Sequence, residues 1–114
     1  MKLARHEVVV TIDYSEHTTI AETDFTINGI IRNIAAVVPA LTGTATTITL
    51  KLEDEDDIEW YSKGSIAEGA TAVVKQDGSV LEIPIMGLTT AQVTASAAQG
   101  ADVEITLVLL YEQN

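Results

Sequence analysis

The chain has no cysteine, which excludes a disulfide framework and a thiolate metal centre and leaves the redox compartment unreadable. Aromatic residues make up only 4% of it, with one Trp, one Phe and three Tyr, so any core it forms is aliphatic. Cations are scarce: 6 Lys and Arg stand against 17 Asp and Glu, a formal charge of −11. Affinity for nucleic acid begins with neutralising phosphates, so this balance argues against a nucleic-acid partner. No apolar run approaches the roughly 18 residues that span a bilayer as a helix, and no membrane partner is expected. The opening residues Met1-Lys2-Leu3-Ala4-Arg5-His6-Glu7 carry charge where a signal peptide has an apolar stretch. Synthesis in the cytoplasm of the translating cell is therefore the expectation.

What the chain does have is β-branched and aliphatic alternation. Hydrophobic residues are 46% of the 114, mostly Val, Ile, Leu and Ala, interleaved with threonine, a composition that suits a pleated surface better than a helix. The last segment is the clearest. Val103, Ile105, Leu107, Leu109 and Tyr111 fall on one face, with Glu104, Thr106 and Glu112 on the other. Residues 89–96 place Ala91, Val93 and Ala95 together, and the turn before the last strand contains Gly100, so the two segments read as a hairpin. Val8, Val10 and Ile12 mark a first strand, and Ile48, Leu50 and Leu52 another.

Between these, Ile20, Phe25 and Ile27 suggest a strand reaching a turn signal at Asn28-Gly29, where a hairpin is plausible. Ile30, Ile31, Ile34, Val37 and Val38 fit a helical stripe as well as a buried strand. Their β-branching, the preceding Gly29 and the following Pro39 favour the strand. Asp77-Gly78 is the sequence a type I′ turn prefers and joins strands at 71–75 and 80–85, the second an edge or an end because Pro84 cannot donate to a ladder. About eight strands with turn signals every 8–12 residues predict one domain over residues 1–114. Its expected class is all-β, a single β-sandwich or jelly roll of about eight antiparallel strands.

Candidate chemistry is sparse. The run Glu53-Asp54-Glu55-Asp56-Asp57 lacks the glycine and spaced carboxylates of a calcium loop and reads as a solvated loop, so no metal site is expected. Such a loop can meet a basic patch on a partner, which makes Asp54, Asp56 and Asp57 candidate contact residues. His6 and His17 lie on opposite sides of the first strand without further ligands, and no serine sits in a nucleophile motif. No catalytic residue and no cofactor is expected, and an enzyme is improbable. Alternation from Ile58 sends Trp60 to the core and Tyr61 outward, so Tyr61 is a further contact candidate. Met86, beside Gly87, reads as core filling at a strand end. Val108 and Leu110 interrupt the polar face of the last strand and need cover, from the partner sheet's rim or from a second protomer.

The layout around Asp77-Gly78-Ser79-Val80-Leu81-Glu82-Ile83-Pro84-Ile85-Met86-Gly87, followed by a Thr/Ala strand, Ala98-Gln99-Gly100-Ala101-Asp102 and an apolar last strand, resembles small virion proteins of tailed bacteriophages. The resemblance covers the chain from about Asn28-Gly29 onward and is one of pattern. It implies a structural protein of the particle, first of all a decoration or cement protein that binds the major capsid protein on the outside of the head and stabilises it. Such proteins are usually multimeric, so a homo-oligomer is expected. The flexible Pro/Thr-rich arm of lambda-type decoration proteins has no counterpart here, which puts arm exchange in doubt. The alternative is a tail or baseplate jelly roll with a structural or adhesive role.

Overall fold

Alternation of buried and exposed side chains runs along the long strands, and the buried positions are apolar almost throughout, Thr89 being a polar exception. The computed structural model describes residues 2–13, 19–42, 44, 47–73 and 82–113. Seven strands are present among them: β1 (Lys2–Ile12), β2 (Ile20–Val38), β3 (Thr47–Asp54), β4 (Glu59–Ala67), β5 (Ala70–Val73), β6 (Ile83–Ala95) and β7 (Val103–Gln113). All pairings are antiparallel, in the order β1-β7-β2-β6-β3-β4, with β5 also on β2. The domain is all-β, as composition and alternation imply, and is built as one continuous sheet rather than as a clearly closed eight-stranded sandwich.

The 19-residue β2 is the spine of that sheet. Its first part pairs β6, from Ile20↔Thr94 to Ile31↔Ile83, and its second part pairs β7 on one edge and β5 on the other. Between the two parts the register with β7 slips at Ile31/Asn33, which leaves Arg32 as the extra residue of a β-bulge. A bulge reverses which residues face inward: Phe25, Ile27 and Ile31 are buried before it, and Ile34, Ala36 and Val38 after it. The sheet turns at this point into two leaves, one of β1, β7, the end of β2 and β5, the other of the start of β2 with β6, β3 and β4. The leaves close on each other where Thr23 Oγ1 donates to the Val9 carbonyl at 2.9 Å and the His6 ring meets Phe25 at 5.8 Å. Overall extents of 43 × 26 × 20 Å accommodate two layers at the usual separation of about 10 Å.

Gly29 lies within β2 just before the bulge, with φ 157°. A methyl group there would run into the backbone carbonyl of Glu112 on β7, so the close approach of β2 and β7 depends on the missing side chain. The core between the leaves is aliphatic, with Phe25, Tyr61 and Tyr111 as its aromatic members. Burying one Leu or Ile completely is favourable by about 1.5–3 kcal/mol, and Ile31, Ile34, Leu50, Leu52, Ile105, Leu107 and Leu109 are all fully buried.

Several expectations need correction. Asn28-Gly29 is no turn: β2 runs straight through it, and Asn28 Oδ1 instead accepts from the Gly87 amide at 3.0 Å. β6 likewise continues unbroken through Pro84 and Gly87, so the two strands expected there are one. β6 and β7 do not form a hairpin, since β6 lies between β2 and β3 and β7 between β1 and β2. The segment joining them crosses from leaf to leaf and is fastened by Gln99. That buried amide accepts from the Thr42 amide at 2.8 Å and donates to the Ala97 carbonyl at 3.0 Å, while Thr42 Oγ1 accepts from the Gly100 amide at 3.0 Å. The Asp77-Gly78 hairpin and His17 lie outside the described residues.

Candidate functional site

The outer face of the β6 leaf is polar along most of its length. Gln92 Nε2 donates to Glu22 at 2.9 Å and Thr90 Oγ1 to Asp24 at 2.7 Å, each across a directly opposed β2/β6 pair. Towards the β3–β4 turn this ladder gives way to exposed apolar side chains: Ile58, Trp60, Met86 and Leu88. Trp60, Met86 and Pro84, together with Asp54, Ile85 and Thr89, line a cleft of about 280 Å³.

One side of the cleft is the tip of the acidic hairpin, and its shape follows from Asp54. The Asp57 amide donates to the Asp54 carbonyl and the Asp54 amide to the Ile58 carbonyl, both at 3.1 Å, with Asp57 at φ 60°. This is a three-residue hairpin loop ending in a left-handed residue, where Asp serves in place of the usual Gly. The Asp54 carboxylate fills the loop from within. Oδ1 accepts from the amides of Asp56 at 2.9 Å and Ile58 at 3.0 Å, and Oδ2 accepts from the indole Nε1–H of Trp60 at 2.9 Å. The Trp60 bond, then the bond from Ile58, hold its pKa below the ordinary carboxylate value. Lys51 reaches Glu53 at 3.1 Å and Glu59 at 3.5 Å, and the hydrogen bond it donates to Glu53 raises its pKa. Glu55, Asp56 and Asp57 have no ion pair among the described residues.

The structure distributes the sequence-stated candidates unevenly. Asp54, Asp56 and Asp57 share the hairpin tip, Asp54 as its internal anchor and the other two exposed. The expectation for the ring pair is reversed: Tyr61 is fully buried (0%), and Trp60 is 43% exposed. The cause is a register slip in the β3–β4 pair, from Leu52↔Tyr61 to Glu53↔Glu59, which makes Trp60 the extra residue and resets the alternation. Met86, expected in the core, is 79% exposed. Val108 is half-buried and Leu110 exposed, on the outer face of the other leaf beside Val9 and Val37, so they are not part of the cleft. Met86 and Leu88 escape notice as surface residues in the sequence because Gly87 between them resembles a strand break. Unbroken period-two counting back from Ala91 would have placed both outside.

Among the described residues no group of three or more His, Asp or Glu side chains is arranged to hold a metal ion. The arrangement is a fixed aromatic surface beside carboxylates, with no nucleophile–base pair. Its place is on the outer face of an all-β domain, and the chemistry it offers is contact.

No family model and no curated protein matches the sequence. Among solved structures, one similar in fold is a chain of the Bacillus endospore appendages, which form disulfide-linked pili: TM-score 0.53 at 14% identity, over 99% of this chain and 90% of that one. The CBM36-1 domain of a xylanase from the hindgut metagenome of Trinervitermes trinervoides gives 0.49 at 10% identity over 96% and 99%. VP2 of the infectious bursal disease virus subviral particle gives 0.38 at 11% identity over 97% and 33%. At such identities the likeness is one of fold alone, an all-β architecture shared with the endospore-appendage chain.

Proposed function

We propose that this protein is a structural and adhesive module of a virion, attached by surface contact at the tail or baseplate of a tailed phage. The observation that carries the reading is the exposure of Trp60 and Met86 at the cleft, with Ile58 and Leu88 also exposed, on a leaf whose outer face is otherwise largely hydrogen-bonded and polar. Contiguous exposed apolar surface rimmed by polar groups marks contact sites. The sequence resemblance to phage virion proteins supplies the setting. Any assembly resembling the disulfide-linked pili would have to be held without that linkage, because the chain has no cysteine.

Capsid decoration is the second reading, and the outer face of the β7 leaf favours it. Val9, Val37 and Leu110 are exposed there around the half-buried Val108, a surface on which protomers can pack while touching the major capsid protein. Mass spectrometry of purified particles, with heads and tails separated after disruption, tests both. Recovery with tails is the expected result; recovery with heads carries the second reading, and absence from both fractions removes the virion reading.

A further inference from the structure

We propose that the cleft beside Trp60 receives a lysine or arginine side chain from an exposed segment of the partner protein. The inference rests on the contact reading above and specifies the chemistry of the contact. Three properties of the cleft point to a cationic side chain.

The first is the ring. Trp60 is the one tryptophan of the chain, lines the cleft, and has its indole nitrogen bound to Asp54 at 2.9 Å. The indole face is the best of the aromatic surfaces for a cation. Anchoring the ring by its N–H removes part of the ordering cost of capture.

The second is the wall. Pro84, Ile85 and Met86 line the same cleft as the ring and give it apolar surface. A lysine or arginine has an apolar stem ending in a charged head, which suits a slot with an apolar wall and an acidic mouth. Met86, unbranched and exposed, can adjust to either stem. At about 280 Å³ the cleft is at the lower limit of small-molecule pockets, a size for one side chain.

The third is charge. Glu55, Asp56 and Asp57 are exposed on the hairpin tip that Asp54, a lining residue, anchors, and the Glu55 carboxylate reaches to within 3.6 Å of where a Cβ on Gly87 would stand. Asp54 remains ionised below the usual carboxylate range, and the whole chain carries −11. This field draws cations toward the ring and repels anionic partners. A neutral sugar could stack on the same indole and donate its hydroxyls to the carboxylates, but it would leave the surplus negative charge uncompensated, as a cation would not.

Because Trp60 is the sole tryptophan, its emission reports on the cleft directly. The probes are blocked heptapeptides with three Lys, three Arg or three Glu among glycines, and xylohexaose. The Lys and Arg peptides are expected to change the emission saturably and the Glu peptide and sugar not to. By calorimetry, Trp60→Ala should weaken the Lys and Arg peptides at least tenfold and Trp60→Phe less, with both variants still folded by circular dichroism. The pair Asp56→Asn/Asp57→Asn should weaken them at least threefold, and the distant pair Glu68→Gln/Glu104→Gln less than twofold. Equal loss from both pairs with no loss from Trp60→Ala would reduce the effect to diffuse charge attraction and overturn the proposal, as would a response to the sugar alone. If basic peptides fail while the protein is still recovered with tails, this inference falls and the virion reading stands.

Discussion

The indole N–H of Trp60 is donated to Asp54 Oδ2 at 2.9 Å, across a loop whose backbone is held by the other oxygen of the same carboxylate. One ionised group thus sets both the hairpin's shape and the presentation of the exposed ring.

Replacing Asp54 with Asn should lower the melting temperature at pH 7, because the amide keeps one acceptor and loses the charge and the second. The folded-state pKa of Asp54 is lowered from 3.8, so its contribution is complete above that value and is lost as pH falls through the lower folded value. Melting curves of the two proteins should therefore differ at neutral pH and draw together in acid below about pH 4. A gap that persists unchanged to pH 2 would contradict the assignment.

Tyr61 carries a buried hydroxyl without a hydrogen-bond partner among the described residues. Burial raises its pKa from 10 to about 12. The sign follows from the neutral form being favoured in the fold: the stability is complete below pH 10 and is lost as pH rises toward 12. Tyr61→Phe should be neutral or stabilising by roughly 1 kcal/mol at pH 7, since an unsatisfied buried donor is removed with the ring left in place. It should also flatten the alkaline limb of a urea-denaturation series between pH 9 and 12.

At Gly29 the expected outcome is severe. An alanine Cβ there meets the carbonyl of Glu112, whose carbonyl carbon would be 2.9 Å away, and both partners are backbone in a paired ladder. Gly29→Ala should cost about 3 kcal/mol or more, at the upper end of overpacking effects. Loss of cooperative thermal unfolding, or a melting temperature lower by ten degrees or more, would register it.

Gln99 tests the crossover between the leaves. Gln99→Leu preserves bulk but leaves the Thr42 amide and the Ala97 carbonyl without their partner, at a cost of about 0.5–1.5 kcal/mol for each bond lost. Gln99→Glu keeps an acceptor for Thr42 and should be milder at pH 4 than at pH 8, where a charge is buried.

Most of the core was legible in advance. Val8, Val10 and Ile12, then Ile48, Leu50 and Leu52, and every second residue from Val103 to Tyr111 are buried where period-two alternation puts them. What escaped were the places where the period breaks. Ile31 and Ile34, three apart, resemble a helical stripe, and the structure shows why: Arg32 is a bulge inside a strand, with its guanidinium carried out to Glu82 at 2.9 Å and Glu112 at 3.1 Å. The same one-residue insertion at Trp60 exchanged the places of the two rings. Alternation counts residues and cannot register a bulge, because the extra residue is defined by the partner strand rather than by its own neighbours. The cleft was half visible, in the acidic run, while its apolar wall on β6 was hidden behind the reading of Pro84 and Gly87 as breaks.

The pairing of β1 with β7 joins Val8 to Leu107 across most of the chain. Contacts between residues so distant in sequence are slow to form. On a ribosome, β1 would emerge first and wait for β7 with Val8, Val10 and Ile12 uncovered and both backbone edges open. An unpaired, alternating strand of that kind is a template for pairing with other chains. Crowded synthesis of many copies would make this interval, rather than the finished fold, the stage most exposed to aggregation.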